Sequence, residues 1–231
     1  MKQGGAHTLK PQNAASLDDD DRNAVVQIIM ELRARGITDR RLLSALERIP
    51  REAFVVENQR VGLFENRPTP IGYGQTMTQT LLIGLIVGTL NIADGDKVLE
   101  VGTGSGFQSA VLAKLGRRIY SMERYRTLAR RAEGRLGTLG ITNVSVMYAD
   151  GLLGWKPQAP FQRIVLNGSV VKVPDVLMDQ LDESGCLIAP IGKAEENQQL
   201  TLFSKFASGV HETPLANVKF AALISGKSLE H

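Results

Sequence analysis

The spacing of hydrophobic residues along the chain changes after Leu90. Before that point, apolar side chains recur every three or four positions, the spacing of one helix face. Two such stripes predict two helices, which end at Gly36 and Pro50. Their apolar positions are Val25, Ile28, Ile29 and Leu32, then Leu42, Leu43, Leu46 and Ile49. Thr38 or Asp39 can cap the second helix.

The segment Leu81–Leu90 is the longest apolar stretch of the chain. It is about half the roughly 20 residues that a membrane span needs, so it predicts a buried helix. Before it, Phe64–Thr80 is dense in Pro, Gly, Thr and Gln and predicts a loop.

After residue 96, short apolar runs alternate with helical stretches. The runs are typical of strands: Lys97–Val101, Arg118–Met122, Val144–Tyr148, Arg163–Leu166 and Cys186–Ala189. Strands that alternate with helices predict a parallel sheet covered on both faces. Two late strands are expected at 197–206 and 218–224, with a turn region at 207–214 between them.

Composition and charge are those of an ordinary globular protein. The 231 residues are 43% hydrophobic and 22% charged, and a formal net charge of +3 gives little support for a nucleic-acid partner. Cys186 is the sole cysteine, so an intrachain disulfide and a multi-cysteine metal site are excluded, and we expect no metal. We divide the chain into a flexible tail over 1–20, one domain over 21–228 that begins with a helical extension and loop over 21–80, and an expression-tag remnant over 229–231.

A strand followed by three alternating glycines stands at Val98–Ala110, "VLEVGTGSGFQSA". Such a turn places backbone N–H groups and a helix N-terminus beside a ligand. The pattern is G-x-G-x-G, whereas the dinucleotide fingerprint is G-x-G-x-x-G, and Phe107 stands at the place of its third glycine. Glu100, just before the turn, would repel a pyrophosphate and attract an ammonium group. The pattern therefore disfavours NAD and a nicotinamide-dependent oxidoreductase.

Two further acids follow the next two predicted strands. Glu123 lies 21 residues after Gly102, where an acid meets the hydroxyls of a ribose. Asp150, followed by Gly151, is placed to reach an adenine. Because the carboxyl ends of parallel strands meet at one edge of a sheet, we expect these two acids and Glu100 to surround one ligand. S-adenosylmethionine, with an ammonium, a sulfonium and no phosphate, matches this set of acids.

The block "IGYGQTMTQT" at Ile71–Thr80 resembles one that few methyltransferases carry outside the protein-L-isoaspartate (D-aspartate) O-methyltransferases, a class I S-adenosylmethionine-dependent family. Further blocks resemble the same family in the same order: "VLEVGTGSGFQSAVLA", "YADGLLGW", "APF", "VPDVLMDQL" and "LIAPIG". The resemblance covers roughly residues 25–225. It implies a Rossmann-like, doubly wound α/β fold with a mostly parallel seven-stranded sheet, an antiparallel strand and an N-terminal helical extension.

The resemblance also implies a role for each matching cofactor position. Glu100 and the turn Gly102–Gly106 hold the methionine part of S-adenosylmethionine, Glu123 holds the ribose, and Asp150 and Gly151 lie at the adenine. The implied cofactor-binding residues are Gln75, Thr76, Thr78, Glu100, Gly102, Thr103, Gly104, Gly106, Glu123, Asp150 and Gly151.

On the substrate side, the resemblance implies that the loop Gln75–Thr78 covers the cofactor and faces the substrate carboxylate. Thr78 falls where the family has its active-site serine, which makes it the predicted catalytic residue. As an alternative, Thr78 caps the helix that follows. None of the histidines is a good general base, and an ionised carboxylate hardly needs one; they are His7, His211 and His231.

The implied function is methyl transfer to the free carboxylate of L-isoaspartyl and D-aspartyl residues in damaged proteins, which initiates repair. Isoaspartyl peptides and proteins are the expected partners of a cytoplasmic monomer that binds neither nucleic acid nor membrane. Two alternatives stay open: a divergent relative that methylates another peptide or small-molecule carboxylate, and a protein that binds the cofactor without turnover.

Several positions depart from the family pattern. Thr78 replaces a serine, Thr80 a proline and Gln162 an aspartate, and Asn167–Pro174 replaces an alanine-rich loop that shapes the substrate cleft. The cofactor positions follow the family more closely than the substrate-side positions. The resemblance therefore supports the cofactor more strongly than the identity of the substrate.

Overall fold

The structure is a computed structural model that describes residues 19–56 and 63–229. Its N-terminal part is helical, with α1 (Asp19–Ala34), α2 (Arg40–Arg48), a 3₁₀ turn (Arg51–Phe54) and α3 (Thr80–Leu90). Asp39 caps α2, because its side chain accepts a hydrogen bond of 2.8 Å from the backbone N–H of Arg41. The predicted helical extension is confirmed, and its buried side chains lie on the predicted stripes: Val25, Ile28, Leu32, Leu42, Leu43, Leu46 and Ile49.

A short antiparallel hairpin lies within the segment that the sequence predicts as a loop. Its strands are β1 (Thr69–Gly72) and β2 (Gln75–Met77). Tyr73 and Gly74 form the turn, with φ of 56° and 67°. The ring of Tyr73 stacks on Tyr125 with 5.3 Å between ring centres, which holds the hairpin tip against the main domain. Strands this short have too few residues for an alternating pattern to mark them.

The rest of the chain builds one sheet from seven strands: β3 (Lys97–Val101), β4 (Arg118–Glu123), β5 (Val144–Tyr148), β6 (Phe161–Leu166), β7 (Leu181–Ile191), β8 (Gln198–Phe206) and β9 (Gly209–Val218). Their spatial order is β5-β4-β3-β6-β7-β8-β9. Strands β3 to β7 are parallel, β8 is antiparallel to β7, and β9 is antiparallel to β8. The predicted fold class is confirmed. The order of strands reverses between β3 and β6, where open α/β sheets form a ligand crevice.

Two apolar layers cover the two faces of this sheet. The helices after α3 are α4 (Phe107–Ala113), α5 (Arg126–Thr138) and α6 (Asp175–Asp179). One layer unites apolar residues of α1 to α4 with Val98 and Ile119, and the other unites Leu177 of α6 with Leu99. Because neighbouring residues of β3 face opposite layers, the strand is buried on both faces, and Glu100 is the one charged residue among its buried positions.

The end of the sheet differs from the prediction. Strand β9 occupies much of the predicted turn region 207–214, and 218–224 is not a strand beyond its first residue. Its one further pairing is an isolated bridge between Ser169 and Ala222. Strand β9 lies at the sheet edge and is mostly exposed, so no buried face leaves an apolar alternation in its sequence.

Parts of two predictions lie outside the described residues. Of the predicted tail, residues 1–18 are not described, and α1 begins at Asp19; of the predicted tag remnant, 230–231 are not described. The division of the chain into tail, domain and remnant stays a prediction. Among the described residues, no helix combines the length and the apolar character needed to cross a bilayer.

Candidate active site

A cavity opens beside the point where the strand order reverses, at the carboxyl ends of β3 and β4. Its wall includes the turn after β3, the segments that follow β4, β5 and β6, the β1–β2 hairpin with Thr78 after it, and Ala221–Ile224 near the C-terminus. The structure brings together most of the predicted cofactor positions here: Gln75, Thr76, Thr78, Gly102, Thr103, Gly104, Glu123, Asp150 and Gly151. Glu100 and Gly106 are the two predicted positions that do not line the cavity.

Glu100 is buried beneath the cavity wall with no exposed surface. Its Oε2 accepts a hydrogen bond of 2.6 Å from the Ser121 hydroxyl and another from the Ser109 hydroxyl. Its Oε1 accepts one of 3.0 Å from Nδ2 of Asn167. Burial is the largest influence and raises the pKa of Glu100 to about 7, while the three donors act to lower it. The expectation that this carboxylate points directly at a ligand is thus corrected, because its neutral donors hold it inside the core.

Glu123 ends β4 and lies in the cavity wall, with 5% of its surface exposed. Its Oε2 accepts a hydrogen bond of 2.8 Å from the Gly104 N–H, and its Oε1 accepts one of 2.9 Å from the Tyr125 N–H. Burial raises the pKa of this carboxyl, whereas the backbone donors act to lower it. Each carboxylate oxygen can accept a second hydrogen bond, so Glu123 can also accept from the hydroxyls of a ligand.

Asp150 follows β5 and connects the cavity to the C-terminal segment. Its Oδ2 accepts hydrogen bonds of 2.7 Å from the Gly226 N–H and 2.9 Å from the Ser225 hydroxyl. The next residue, Gly151, has no room for a side chain, because a Cβ there would lie 2.5 Å from Cγ1 of Val101. This close approach brings the chain after β5 over the end of β3.

The turn after β3 depends on a left-handed backbone at each of its glycines. Gly102, Gly104 and Gly106 have φ of 93°, 55° and 91°, a region that is unfavourable for residues with a Cβ. The Gly102 N–H donates a 2.8 Å hydrogen bond to the Met122 carbonyl, which ties the turn to β4. A Cβ on Gly106 would lie 3.1 Å from Cβ of Ala132, so this glycine packs the turn against α5 instead of lining the cavity.

Thr78 lines the cavity between β2 and α3 and does not cap the helix. The N-cap of α3 is Gln79, which makes no capping hydrogen bond with its side chain. The alternative interpretation of Thr78 as a helix cap is therefore wrong. The half-buried side chain of Thr78 belongs to the cavity wall instead.

A buried cation supports the backbone of Thr78. Nη2 of Arg51 donates a 2.9 Å hydrogen bond to the Thr78 carbonyl, and Nε donates one of 3.2 Å to the Leu63 carbonyl. The guanidinium carbon lies 4.8 Å from the centre of the Phe107 ring. Arg51 is 2% exposed, and burial lowers its pKa to about 10. Arg51 thus joins the loop on one side of the cavity to the first residue of α4.

Comparison with known proteins assigns the chain to a family. Residues 23–228 match the model of the family described as protein-L-isoaspartate(D-aspartate) O-methyltransferase. The chain belongs to this family. The protein-L-isoaspartate O-methyltransferase of Maricaulis maris is 43% identical over 204 residues, which cover 88% of this chain and 95% of that one. The enzyme of the same name from Parvibaculum lavamentivorans is 42% identical over 214 residues, 92% of this chain and 96% of that one.

Solved structures of protein-L-isoaspartate O-methyltransferases have the same fold. One aligns with a TM-score of 0.76 and 26% identity over 86% of this chain and 65% of its own, so the present chain spans about two thirds of it. A second, from Plasmodium falciparum in complex with S-adenosyl-L-homocysteine, aligns with a TM-score of 0.73 and 22% identity over 86% of this chain and 97% of that one. The family resemblance that the sequence motifs indicate is confirmed.

Some of the residues that depart from the methyltransferase family pattern line the cavity, and others lie away from it. Thr78 and Asn167 line the cavity, whereas Thr80 is buried in the first turn of α3. Gln162 lies at the opposite end of β6 from the cavity, where its Oε1 accepts a 2.9 Å hydrogen bond from the backbone N–H of Lys97. Its Nε2 donates one of 2.7 Å to the carboxylate of Asp182. Gln162 therefore connects strand starts and takes no part in the site.

Sequence reasoning missed several contributors to the cavity of this methyltransferase, among them Gln108 and Ala221–Ile224. Gln108, in the first turn of α4, lines the cavity and donates a 2.7 Å hydrogen bond from Nε2 to Oδ1 of Asn167. Ala221–Ile224 also lines it, although its apolar sequence is typical of a strand. Neither Gln108 nor Ala221–Ile224 shows a sequence pattern that indicates a binding site. A glutamine early in a helix and a short apolar run are both common where no ligand binds.

Proposed function

We propose that this family member transfers a methyl group from S-adenosylmethionine to the free carboxylate of L-isoaspartyl and D-aspartyl residues in damaged proteins. One observation carries the proposal. The turn Gly102–Ser105 and the loop Gln75–Thr78 line the same cavity, at the crevice where this sheet topology binds ligands. In a member of this family, such a cavity can hold a methyl donor on the sheet side and a carboxylate on the loop side.

The residues of the sheet side suit S-adenosylmethionine. We propose that the turn Gly102–Gly106 holds the methionine part and that Glu100 attracts its ammonium group from beneath the cavity wall. We also propose that Glu123 accepts hydrogen bonds from the ribose hydroxyls. Asp150 and Gly151 would border the adenine. A carboxylate at the position of Glu123 is unfavourable for a phosphate and favourable for hydroxyl donors, in agreement with a nucleoside that carries no phosphate.

The chemistry requires orientation more than proton transfer. When bound, S-adenosylmethionine supplies a methyl group on a sulfonium, whose sulfur becomes a neutral thioether without protonation. The substrate carboxylate is already ionised near neutral pH, so its oxygen could take the methyl group as the carbon–sulfur bond breaks, and no residue of the chain would have to move a proton. Of the three histidines, His211 is the one within the described residues, and it lies on the exposed strand β9 away from the cavity.

Thr78 is the residue we propose to orient the carboxylate. Its side chain lies in the cavity wall, and its carbonyl is held by Arg51 at 2.9 Å. A hydroxyl donor that holds one carboxylate oxygen would leave the other oxygen free to attack a methyl group. Orientation of this kind supplies much of the rate enhancement when the reacting groups are already in the correct ionisation state.

Methyl transfer to a synthetic isoaspartyl peptide tests the proposal, with the same peptide carrying a normal aspartyl residue as the control. We expect ester formation on the isoaspartyl peptide alone. Binding of S-adenosylmethionine without transfer to either peptide would contradict the proposed substrate. A further test with small carboxylic acids and other peptides would then distinguish a different carboxylate substrate from a protein that binds the cofactor without turnover.

We further propose that the protein acts in the cytoplasm as a monomer and without nucleic acid. The single cysteine suits a reducing compartment, and the net charge of +3 is small for a protein that binds nucleic acid. Analytical ultracentrifugation tests the monomer, and a dimer at micromolar concentration would contradict it.

A further inference from the structure

The side-chain amide of Asn167 joins three parts of the site. Its Nδ2 donates hydrogen bonds of 3.0 Å to Oε1 of Glu100 and 3.0 Å to the Gly102 carbonyl. Its Oδ1 accepts the 2.7 Å hydrogen bond from Gln108. Asn167 directly follows β6 and also lines the cavity. One amide group thus links the buried carboxylate, the turn after β3 and helix α4.

The contacts of Glu100 leave its negative charge without a cationic partner among the described residues. The groups that hydrogen-bond it are neutral: the Ser109 hydroxyl on α4, the Ser121 hydroxyl on β4 and the amide of Asn167 after β6. The charged neighbour that acts on it is Glu123, another acid, which raises its pKa further. A buried carboxylate in such surroundings is stabilised by any cation that comes near.

We propose that Asn167 is a positioning residue that holds the Glu100 carboxylate and the Gly102 carbonyl in place, and thereby sets how strongly the cavity prefers a cationic sulfonium over a neutral thioether. The inference rests on the proposed function, since it takes S-adenosylmethionine as the ligand. Glu100 lies beneath the cavity wall, and a charge acts further through a protein interior than through water because little water screens it there. A correctly held carboxylate therefore favours the methyl donor and disfavours the thioether that remains after transfer.

The ratio of two affinities measures this preference. S-adenosylmethionine and S-adenosylhomocysteine share the adenosine, the ammonium and the carboxylate, so the ratio of their dissociation constants reports the effect of the sulfonium charge together with its methyl group. Asn167→Ala removes both donors. We expect the preference for S-adenosylmethionine over S-adenosylhomocysteine, measured by calorimetry, to fall by about tenfold. A tenfold change in this ratio corresponds to the same free energy as a shift of one pKa unit. Equal weakening of both ligands, with the ratio unchanged, would show a purely structural role and overturn the proposal.

Gln162→Ala is the matched control. Gln162 belongs to the same strand, and its amide also bridges two groups, but it lies at the end of β6 away from the cavity. We expect its loss to lower the melting temperature and to leave the ratio unchanged. If Asn167→Ala does not fold, Asn167→Ser, which keeps one hydroxyl donor, should shift the ratio in the same direction by less than tenfold. An unchanged ratio in that variant would also overturn the proposal.

Glu100→Gln removes the charge and keeps the shape of the side chain. It should lower the preference for S-adenosylmethionine over S-adenosylhomocysteine as Asn167→Ala does. The variant that combines both changes should differ in this ratio from either single variant by no more than about twofold, because both changes act through one carboxylate. Full additivity of the two effects would mean that Asn167 acts independently of Glu100, contrary to the proposal.

The pH dependence of the ratio provides a second measurement. Since the pKa of Glu100 is about 7, the preference of the wild type for the sulfonium should rise between about pH 6 and pH 8 as this carboxyl ionises. Asn167→Ala loses a donor that lowers this pKa, so the rise should move to higher pH. A rise at the same pH in variant and wild type contradicts the proposal. A wild type that binds neither S-adenosylmethionine nor S-adenosylhomocysteine would instead overturn the proposed function itself.

Discussion

The two sides of the cavity are held in place by different means. On the sheet side, Glu123 ends β4 and Asp150 follows β5, and each accepts backbone hydrogen bonds that fix its carboxylate. On the opposite side, Thr76 is exposed, Ile224 is 56% exposed, and the hairpin has strands of only four and three residues. Strand ends share the rigidity of the whole sheet, whereas short segments over a cavity can shift at little cost.

This difference has a consequence for substitutions. A change on the sheet side should affect cofactor binding strongly, since the surrounding atoms cannot move to compensate. A change on the loop side should mainly affect how the substrate is handled. The four predictions that follow test this contrast.

Gly104→Val should have the largest effect. The left-handed φ of 55° is unfavourable for valine, and the new Cβ would lie 3.2 Å from Cδ1 of Ile71 in the space beside the turn. We expect the variant to lose the rise in melting temperature that S-adenosylmethionine produces in the wild type. Gly140→Val is the control, because Gly140 has a similar φ of 66° with open space around it. If both variants keep the ligand-induced rise, Gly104 has only a structural role.

Glu123→Ala should weaken S-adenosylmethionine by about 10- to 100-fold, because a hydrogen bond to a charged group contributes roughly 1.5–3 kcal/mol. The turn also loses support at Gly104, whose N–H donates to this carboxylate. Calorimetry measures the effect, and Glu133→Ala, at an exposed position on α5, should leave the affinity unchanged. An unchanged affinity in Glu123→Ala would contradict the proposed ribose contact.

Thr78→Val should lower kcat by about tenfold while the affinity for S-adenosylmethionine changes less, since the lost hydrogen bond orients the attacking carboxylate in the transition state. Thr78→Ser keeps the hydroxyl and should stay active. Steady-state kinetics with the isoaspartyl peptide distinguish the two variants. Equal rates for Thr78→Val and the wild type would exclude a catalytic role for the hydroxyl.

Ile224→Ser should have the smallest effect, a rise in the KM for the peptide of about two- to threefold with a stability change below about 0.5 kcal/mol. Ile224 lines the cavity at an exposed position, so its loss removes apolar contact with a substrate and little packing. Val210→Ser, at a 47% exposed position on β9, is the control and should leave KM unchanged. A tenfold loss of cofactor affinity in Ile224→Ser would contradict the contrast between the two sides.

Prediction from the sequence succeeded where local pattern and tertiary position coincide. The runs that form β3, β4 and β5 are recognisable because both faces of each strand contact apolar layers, although β5 is only half-buried. Glu123 and Asp150 follow from their place at strand ends. Prediction failed for β9, whose exposed edge position leaves no apolar alternation. It also missed Gln108 and Ala221–Ile224, because their part in the cavity depends on contacts between segments far apart in the chain.

The sequence by itself determined the fold class, the family and the edge of the sheet at which the candidate active site lies, since each follows from periodicity or from a contiguous motif. Only the tertiary structure decided which way the polar groups point. In the structure, the Glu100 side chain lies in the core, and Asn167 links it by a hydrogen bond to the cavity wall. Thr78 lines the cavity and does not cap α3. Side-chain direction depends on partners such as Ser109 and Ser121, which packing brings to Glu100 from another helix and another strand. No local sequence pattern predicts those contacts.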